Sequence, residues 1–594
     1  MKKKHALKIW VFLIIYFITT SNIYAQTSTE KQNPYSLGTT NEFFKQIELQ
    51  LITTSKTNHE IKLKTSNSES LNAKVNYQNK NSSSEIHIEG EILDNNGGSF
   101  SIIIKNEKLD GRIILLKNKK AYAYYSDYKG DAFIKETDIN KTICIDYLKI
   151  QIPKIEKDPN YPSNEAKNIN IYNLQSFPGA AGCLLLDFNG HTVSAGSGWN
   201  GGNPINAAPS GMTNDQILEA WEIAAEDFRP FNLNVTTDEE VFNTYPQNRK
   251  RRCIITPTDI ASPGGAGIAL INSFSSYSDL PCWAFTSGAG TSGKIIGEIA
   301  SHELGHTLGL NHDGQSQYSY YSGHVDWAPI MGASYYKNVT QWSKGDYTNA
   351  TNHEDDLNII SGPTNNIGYR ADDHGNSITT ATNLIISSGI ISAIENKGVI
   401  DRTDDIDMFQ FNTGGGNTIL NIQTAERHSN LLLKVSLYDN KNILIGTYKG
   451  NPSNLSAPVV INTNLNAGKY YLAITGIGDG TVDTGYTSYA SLGGYNISGS
   501  VINSTLSLSI ANNHNGMINI YPNPVKDKLN IDFGSVKKNH YIEIVNALGQ
   551  SIHKTSTSEK VLSISFYDVP PGFYRLIIKD SQNTIIKAFS LIKQ

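Results

Sequence analysis

The chain of 594 residues has only four cysteines, so disulfides cannot be its main scaffold, although an exported protein could oxidise a pair of them. Charge is also scarce: charged residues make up 18% of the sequence, and acidic and basic groups nearly cancel at a net charge of −5. That balance excludes nucleic acid as a partner, which would call for a basic surface. An apolar content of 39% excludes wholesale disorder. Beyond the N-terminus no apolar run approaches the ~20 residues that span a bilayer, and no tandem repeat occurs. What is abundant is glycine (49) and tyrosine (31), with asparagine, serine and threonine, a composition suited to a β-rich extracellular protein with a neutral-polar surface. The length implies several folded units.

Lys2, Lys3, Lys4 and Lys8 precede an apolar run from Ile9 to Ile18, and a small residue, Ala25, stands before Gln26. Residues 1–25 therefore read as a cleaved export signal, leaving no permanent membrane span. Residues 26–165 are expected to be β-rich. From about Glu48 to Tyr147 apolar and polar residues alternate, as in Glu85-Ile86-His87-Ile88-Glu89, and turn signals such as Asn95-Asn96-Gly97-Gly98 interrupt them, predicting an antiparallel sheet. Pro153 to Asn168 breaks all periodicity and reads as a linker and processing site.

Residues 166–369 begin with a buried-looking strand, Cys183 to Phe188, followed by helical spacing from Asp215 to Phe228 that aligns Ile217, Trp221, Ala224 and Phe228. Thr213 and Gln216 form a capping box and Pro230 stops the helix. Further strand-like runs, Leu233–Thr237 and Cys253–Thr256, make this unit α/β, a mixed twisted sheet plus helices. Alternation returns over residues 370–503, in runs such as Leu431 to Leu437 and Tyr470 to Ile474, predicting a β-sandwich, and residues 504–594 hold a last small β unit.

One segment carries chemistry: His302-Glu303-Leu304-Gly305-His306-Thr307-Leu308-Gly309-Leu310-Asn311-His312-Asp313. On a helix, positions four apart share a face, so His302 and His306 can offer two imidazole nitrogens to one point about 2.0–2.1 Å away, which suits Zn2+. Gly309 can adopt the left-handed conformation that ends the helix and brings His312 back as a third ligand. Three neutral histidines leave one catalytic ion its full charge and an open fourth position for water. Glu303 lies next to the first ligand, where its carboxylate reaches that water without binding the metal, and is the general base. Ile295, Ile296, Ile299 and Leu304 supply the apolar face of the helix. Gly293 and Gly297 blur where it starts.

The extended motif resembles the metzincin zinc-peptidase signature, and Ala328-Pro329-Ile330-Met331-Gly332-Ala333 resembles its Met-turn. The resemblance implies that Met331 forms an apolar floor under the zinc ligands. Asp313, directly after the third histidine, is similar to the adamalysin/reprolysin type, in which it buttresses the site. The tyrosine that astacin-like members carry two residues after the methionine is replaced by Ala333, so no tyrosine ligand is implied. Leu174 to Ile360 as a whole is similar to bacterial reprolysin-like peptidases. Gly264 to Ala269 is then expected to open the edge strand along which such enzymes lay an extended substrate, with a plain glycine-rich turn as the alternative.

Cys144 lies before the processing stretch, with Cys183, Cys253 and Cys282 after it. Cys144 is either a zymogen inhibitory ligand that displaces the catalytic water or a buried apolar residue. A Cys253–Cys282 disulfide is one candidate pairing. Asp401, Asp404, Asp405 and Asp407 form an acidic cluster that reads either as a Ca2+ site or as a solvated turn. Asp372 to Ser377 and Asp405 to Phe411 make residues 370–503 resemble the pre-peptidase C-terminal domain. Ile520 to Val525, Asn546 to Gln550 and Gly572 to Tyr574 make the end resemble the C-terminal sorting domain of type IX secretion, which implies the type IX machinery as a partner and a secreted or cell-surface location.

The expectation is a secreted zinc-dependent endopeptidase, made as a precursor and acting on extracellular proteins. The alternative is a cell-surface binding or adhesion protein with an inactive or structural zinc site.

Overall fold

The computed structural model describes residues 34–54, 59–82, 85–94, 97–139, 142–146, 169–502, 518–534, 539–546, 550–581 and 585–594. The expected export signal (1–25), the stretch 153–168 and the side chain of Cys144 lie outside the described residues. The chain forms several β-rich units with few helices.

The first is an eight-stranded antiparallel sheet from Tyr35 to Thr137, whose first strand pairs with its last. The helix Thr40–Thr54 covers one face, burying Phe43, Phe44, Ile47 and Leu51. Alternation was expected to begin near Glu48, but Glu48 to Thr54 are helical. The reason is the spacing of three to four residues between the buried positions, which belongs to a helix face and not to a strand.

The second unit is a six-stranded mixed sheet. Leu233–Thr236, Gly182–Asp187, Lys250–Thr256 and Cys282–Phe285 run parallel in that spatial order. Gly267–Leu270 pairs antiparallel to Cys282–Phe285, and Ile143–Asp146 pairs antiparallel to Gly267–Leu270. The parallel strands are buried on both faces, which is why Gly182–Asp187 reads as a continuous apolar run without alternation. Cys253 stands opposite Cys282 in register, and both are buried free thiols, so they form no disulfide.

Two helices pack against this sheet. Asn214–Asp227 starts at the Thr213–Gln216 capping box, and the motif helix, Gly293–Thr307, starts at Ser292, whose hydroxyl accepts from the Ile295 N–H. Gly297 lies where the two helices cross. A Cβ there would come within 2.9 Å of Ile223 Cδ1 and 3.0 Å of the Ala220 carbonyl, so the glycine that weakens the helix locally sets how closely the pair can approach.

Buried Glu89 of the first sheet accepts from the Gly198 N–H at 2.6 Å, Asn76 donates to the Gly201 carbonyl at 2.8 Å, and Ile114 joins the apolar cluster of Trp199, Ile268, Leu270 and Trp283. The N-terminal sheet is thus docked on the unit that carries the motif.

Residues 382–500 form a sandwich of a five-stranded and a six-stranded sheet, and its inner residues, among them Leu431, Leu433 and Leu472, belong to the same core as the motif helix. Residues 519–593 form a three-stranded and a four-stranded sheet around a separate core of Leu529, Ile531, Ile544 and Leu576. Among the described residues no helix is long and apolar enough to cross a membrane.

Gly297→Val should force the two crossing helices apart and lower the unfolding free energy by about 1–3 kcal/mol, measured by denaturant titration. A variant as stable as the parent would contradict the close approach.

Candidate metal centre

The motif helix places His302 and His306 one turn apart, 1% and 0% exposed. His302 Nδ1 lies 2.9 Å from the Ile330 carbonyl and His306 Nδ1 lies 2.7 Å from the Leu310 carbonyl. A carbonyl only accepts, so both rings carry their proton on Nδ1 and turn an Nε2 lone pair inward. The two Nε2 atoms are 3.0 Å apart. Neither has a proton for the other, and two lone pairs facing at that distance in a buried site repel each other unless a cation lies between them. Two nitrogens about 2.0–2.1 Å from one tetrahedral ion would stand roughly 3.3 Å apart, so the pair fits zinc.

The helix ends at Thr307, and Gly309 follows at φ = 106°, a conformation that side-chain-bearing residues rarely adopt. This turn returns the chain so that His312 offers a ligand atom within 4.8 Å of those of His302 and His306. Burial first, and then the charges of its histidine neighbours, hold His306 well below the usual imidazole range; burial and His302 bring His312 down to about 3. Both are therefore neutral near pH 7, the form that binds a metal.

Glu303 is 0% exposed and lies against Gly267–Leu270, which was expected to be an edge strand but is covered by Ile143–Asp146: a Cβ on Gly267 would stand 2.3 Å from its Oε1. The strand backbone and the carboxylate thus share one space beside the histidines. Met331 is packed beneath the helix, its Sδ only 2.7 Å from where a Cβ on Gly305 would sit. The Asp313 N–H donates to the Met331 carbonyl at 2.8 Å, tying the turn after His312 to the methionine loop. Burial, reinforced by the charge of Glu354, pushes the Asp313 carboxyl up to about 8.

Three residues that sequence reasoning passed over belong to this centre. The Tyr320 ring lies 4.2 Å from the His312 ring, centroid to centroid, whereas Tyr335, closer to Met331 in sequence, is in the core. Glu298 accepts from Ser334 at 2.6 Å, Thr340 at 3.0 Å and Lys294 at 2.9 Å, so one buried carboxylate holds both ends of the segment that follows Met331. Its place four residues before His302, on the same helix face, was the available signal. Gln341, whose carbonyl accepts from the Ile330 N–H at 2.9 Å, had none.

A further histidine near the motif, His324, and the acidic cluster fall elsewhere. His324 sits between the Tyr321 hydroxyl and the Gly485 carbonyl of the sandwich, each at 2.7 Å. The acidic cluster is regrouped: Asp401 binds Arg402 at 2.7 Å, Asp404 is exposed, and Asp407 gathers instead with Asp372 and Asp373, with ligand atoms within 4.8 Å of one another. Asp405 stays with Asp401, whose N–H donates to it at 2.9 Å, while the lead-in segment folds back beside the strand Asp407–Thr413 and brings Asp372 and Asp373 to Asp407. Asp407 is 0% exposed. Its Oδ2 accepts from Tyr495 at 2.6 Å, while Oδ1 has no hydrogen-bond partner. Burial pushes its carboxyl up to about 9, with Asp405, Asp373 and Asp372 adding to the shift against the Tyr495 bond.

Residues 519–593 match the family described as Secretion system C-terminal sorting domain. The protein is therefore secreted or displayed at the cell surface, and that domain makes the type IX secretion machinery its partner. No curated protein matches the chain. Among solved structures, a DUF3244 family protein with an immunoglobulin-like β-sandwich from Bacteroides vulgatus is 18% identical, covering 13% of this chain and 84% of its own, at a TM-score of 0.12. The pre-peptidase C-terminal domain of a collagenase from Bacillus anthracis is 18% identical, covering 21% of this chain and 98% of its own, at a TM-score of 0.15. PorZ, a surface component of the type IX secretion system of Porphyromonas gingivalis, is 11% identical over 27% of this chain and 32% of its own, at a TM-score of 0.12. Likeness at this level is partial and carries no functional argument.

Zinc added to metal-free protein at 1,000 times its dissociation constant should stabilise it by about 4 kcal/mol, read as a rise in Tm. His306→Ala should abolish the rise, and a rise unchanged in that variant would place the metal elsewhere.

Proposed function

We propose that this protein is a secreted zinc endopeptidase of the metzincin class, reprolysin-like in its motif, made as a precursor and hydrolysing peptide bonds of extracellular proteins. The observation that carries the reading is the meeting of the buried His302 and His306 with the half-buried His312 in one group, with Glu303 on the same helix as the first two. A structural zinc site needs no further carboxylate beside its ligands. Zinc, when bound by the three histidines, supplies a Lewis acid that activates a water and polarises the scissile carbonyl. The chain's own residues do the rest. Glu303 takes the proton of the attacking water and passes it to the leaving amine. The Ile330 and Leu310 carbonyls hold the imidazoles in the correct tautomer. Met331 gives the centre a dry floor, and the strand Gly267–Leu270, once Ile143–Asp146 is removed from it, offers backbone groups to an extended substrate next to Glu303.

The precursor reading has its own support. The strand Ile143–Asp146, which lies N-terminal to the expected processing stretch, pairs along Gly267–Leu270, the edge that a substrate would use. Removal of residues 26–165 vacates that edge. The role proposed for Cys144 as an inhibitory ligand is compatible with its backbone lying opposite Ala269. Ca2+ is proposed at Asp372, Asp373 and Asp407, where three carboxylates converge and the Oδ1 of the buried Asp407 lacks a hydrogen-bond donor.

Casein hydrolysis should be present in the processed protein, fall by about 10²–10⁴-fold in Glu303→Ala, and vanish on chelation. Equal activity in all three would end the peptidase reading in favour of a surface-binding protein. Cleavage within residues 153–168 should raise the activity of the precursor, measured by comparing the two forms. Ca2+ should raise Tm, and Asp407→Asn should remove that rise.

A further inference from the structure

The sandwich does more than flank the metal centre. Asn430, in the loop ahead of the strand Leu433–Asp439, is 5% exposed and reaches the centre from two sides. Its carbonyl accepts from Gln341 Nε2 at 2.6 Å, and Trp327 Nε1 holds the other end of that amide at 2.9 Å. The Gln341 carbonyl accepts from the Ile330 N–H at 2.9 Å, and the Ile330 carbonyl accepts from His302 Nδ1 at 2.9 Å. On the second side, the Asn430 side-chain amide donates to Asp227 Oδ1 at 2.7 Å. Asp227 Oδ2 accepts from the hydroxyl of Ser301 at 2.6 Å, and Ser301 directly precedes His302 on the motif helix.

We propose that Asn430, a residue of the C-terminal sandwich, is a positioning residue for the metal centre, fixing the His302 ring through Gln341 and Ile330 and its backbone through Asp227 and Ser301. The inference rests on the zinc-peptidase reading of His302, His306 and His312. Physically, the partner of a ligand histidine's outer N–H sets its tautomer and ring direction, and loss of such a partner costs 10–100-fold in metal affinity or activity. The Gln341 main-chain carbonyl holds the Ile330 N–H, and the Ile330 carbonyl projects from that same anchored residue. Every group along both routes is buried, so water cannot stand in for a lost bond. Other contacts across the same boundary, such as Arg427 with Glu222 at 2.5 Å and Tyr489 with Asp355 at 2.6 Å, join neither route. The sandwich is therefore a built-in wall of the site, and the active form must retain it.

The test uses processed protein carrying Asn430→Ala, which removes the side-chain route, Gln341→Met, which removes the carbonyl route at nearly constant volume, and Arg427→Ala as a control on the same boundary. Zinc affinity is measured by chelator competition with zinc alone, and kcat and KM are measured separately on one peptide. Asn430→Ala and Gln341→Met should each bind zinc 10–100-fold more weakly and lose kcat at unchanged KM. Arg427→Ala should keep parental zinc affinity. Should Asn430→Ala not fold, Gln341→Met alone decides. Parental zinc affinity in folded variants overturns the inference, as does equal weakening in Arg427→Ala, which would mean a general loosening of the boundary. Absence of zinc uptake by the unsubstituted protein would instead remove the zinc reading itself, and this inference with it.

Discussion

Two imidazole nitrogens facing each other 3.0 Å apart, with both outer N–H groups already committed to carbonyls, are the constraint around which the rest of the centre is arranged. The arrangement is unfavourable in an apolar interior unless a cation is shared, so the polypeptide must hold it against relaxation. Each carbonyl demands its own support. The Leu310 carbonyl reaches His306 only because Gly309 reverses the chain, and the Ile330 carbonyl reaches His302 only because the Met331 loop is tied at Asp313, Glu298 and Gln341. A helix supplies two ligands, and a network of buried hydrogen bonds gives them their direction.

That network crosses boundaries that chain order would suggest are clean. Asp227 lies on one helix, Ser301 on the next and Asn430 in the sandwich, yet they form one hydrogen-bonded group. Buried carboxylates such as Asp227 and Glu298 are costly unless fully partnered, and here the partners come from separate segments of the chain. The shared apolar core of the sandwich and the motif helix is the hydrophobic counterpart of the same bond network. By contrast, the last unit has its own core, as befits a sorting domain read by the secretion machinery and dispensable to the chemistry proposed.

The N-terminal sheet shows a third kind of dependence. It reaches the central unit through the buried carboxylate of Glu89, the Asn76 amide and Ile114, and the segment after it adds a strand that extends the central sheet by one. A strand edge is the least specific binding surface a protein has, since its recognition groups are backbone amides that any extended segment can meet. A tethered segment that occupies it first is a simple way to keep other chains out, and in the proposed reading the geometry that would admit substrate is the one that would keep a precursor closed.

How much of this was legible beforehand follows from the range of the interactions. The proposed ligands, the proposed general base and the reversal at Gly309 lie within a dozen residues of one another, and the capping box at Thr213 spans four, so local geometry determines them: four residues make a turn, and a glycine breaks it. Three of the four parallel strands were visible as strand-like runs, Cys282–Phe285 was not, and the sorting domain was visible as local motifs. The regrouping of Asp407 with Asp372 and Asp373, the helix at Thr40–Thr54, the proximity of Tyr320 to His312 and the reach of Asn430 to His302 were not. Asp407 and Asn430 show why: their partners are separated by tens to hundreds of residues, and no periodicity records which loop will fold against which. By itself the sequence determined which atoms could bind a metal; only tertiary packing decided where those atoms point, because orientation is set by carbonyls and carboxylates that the chain brings in from elsewhere.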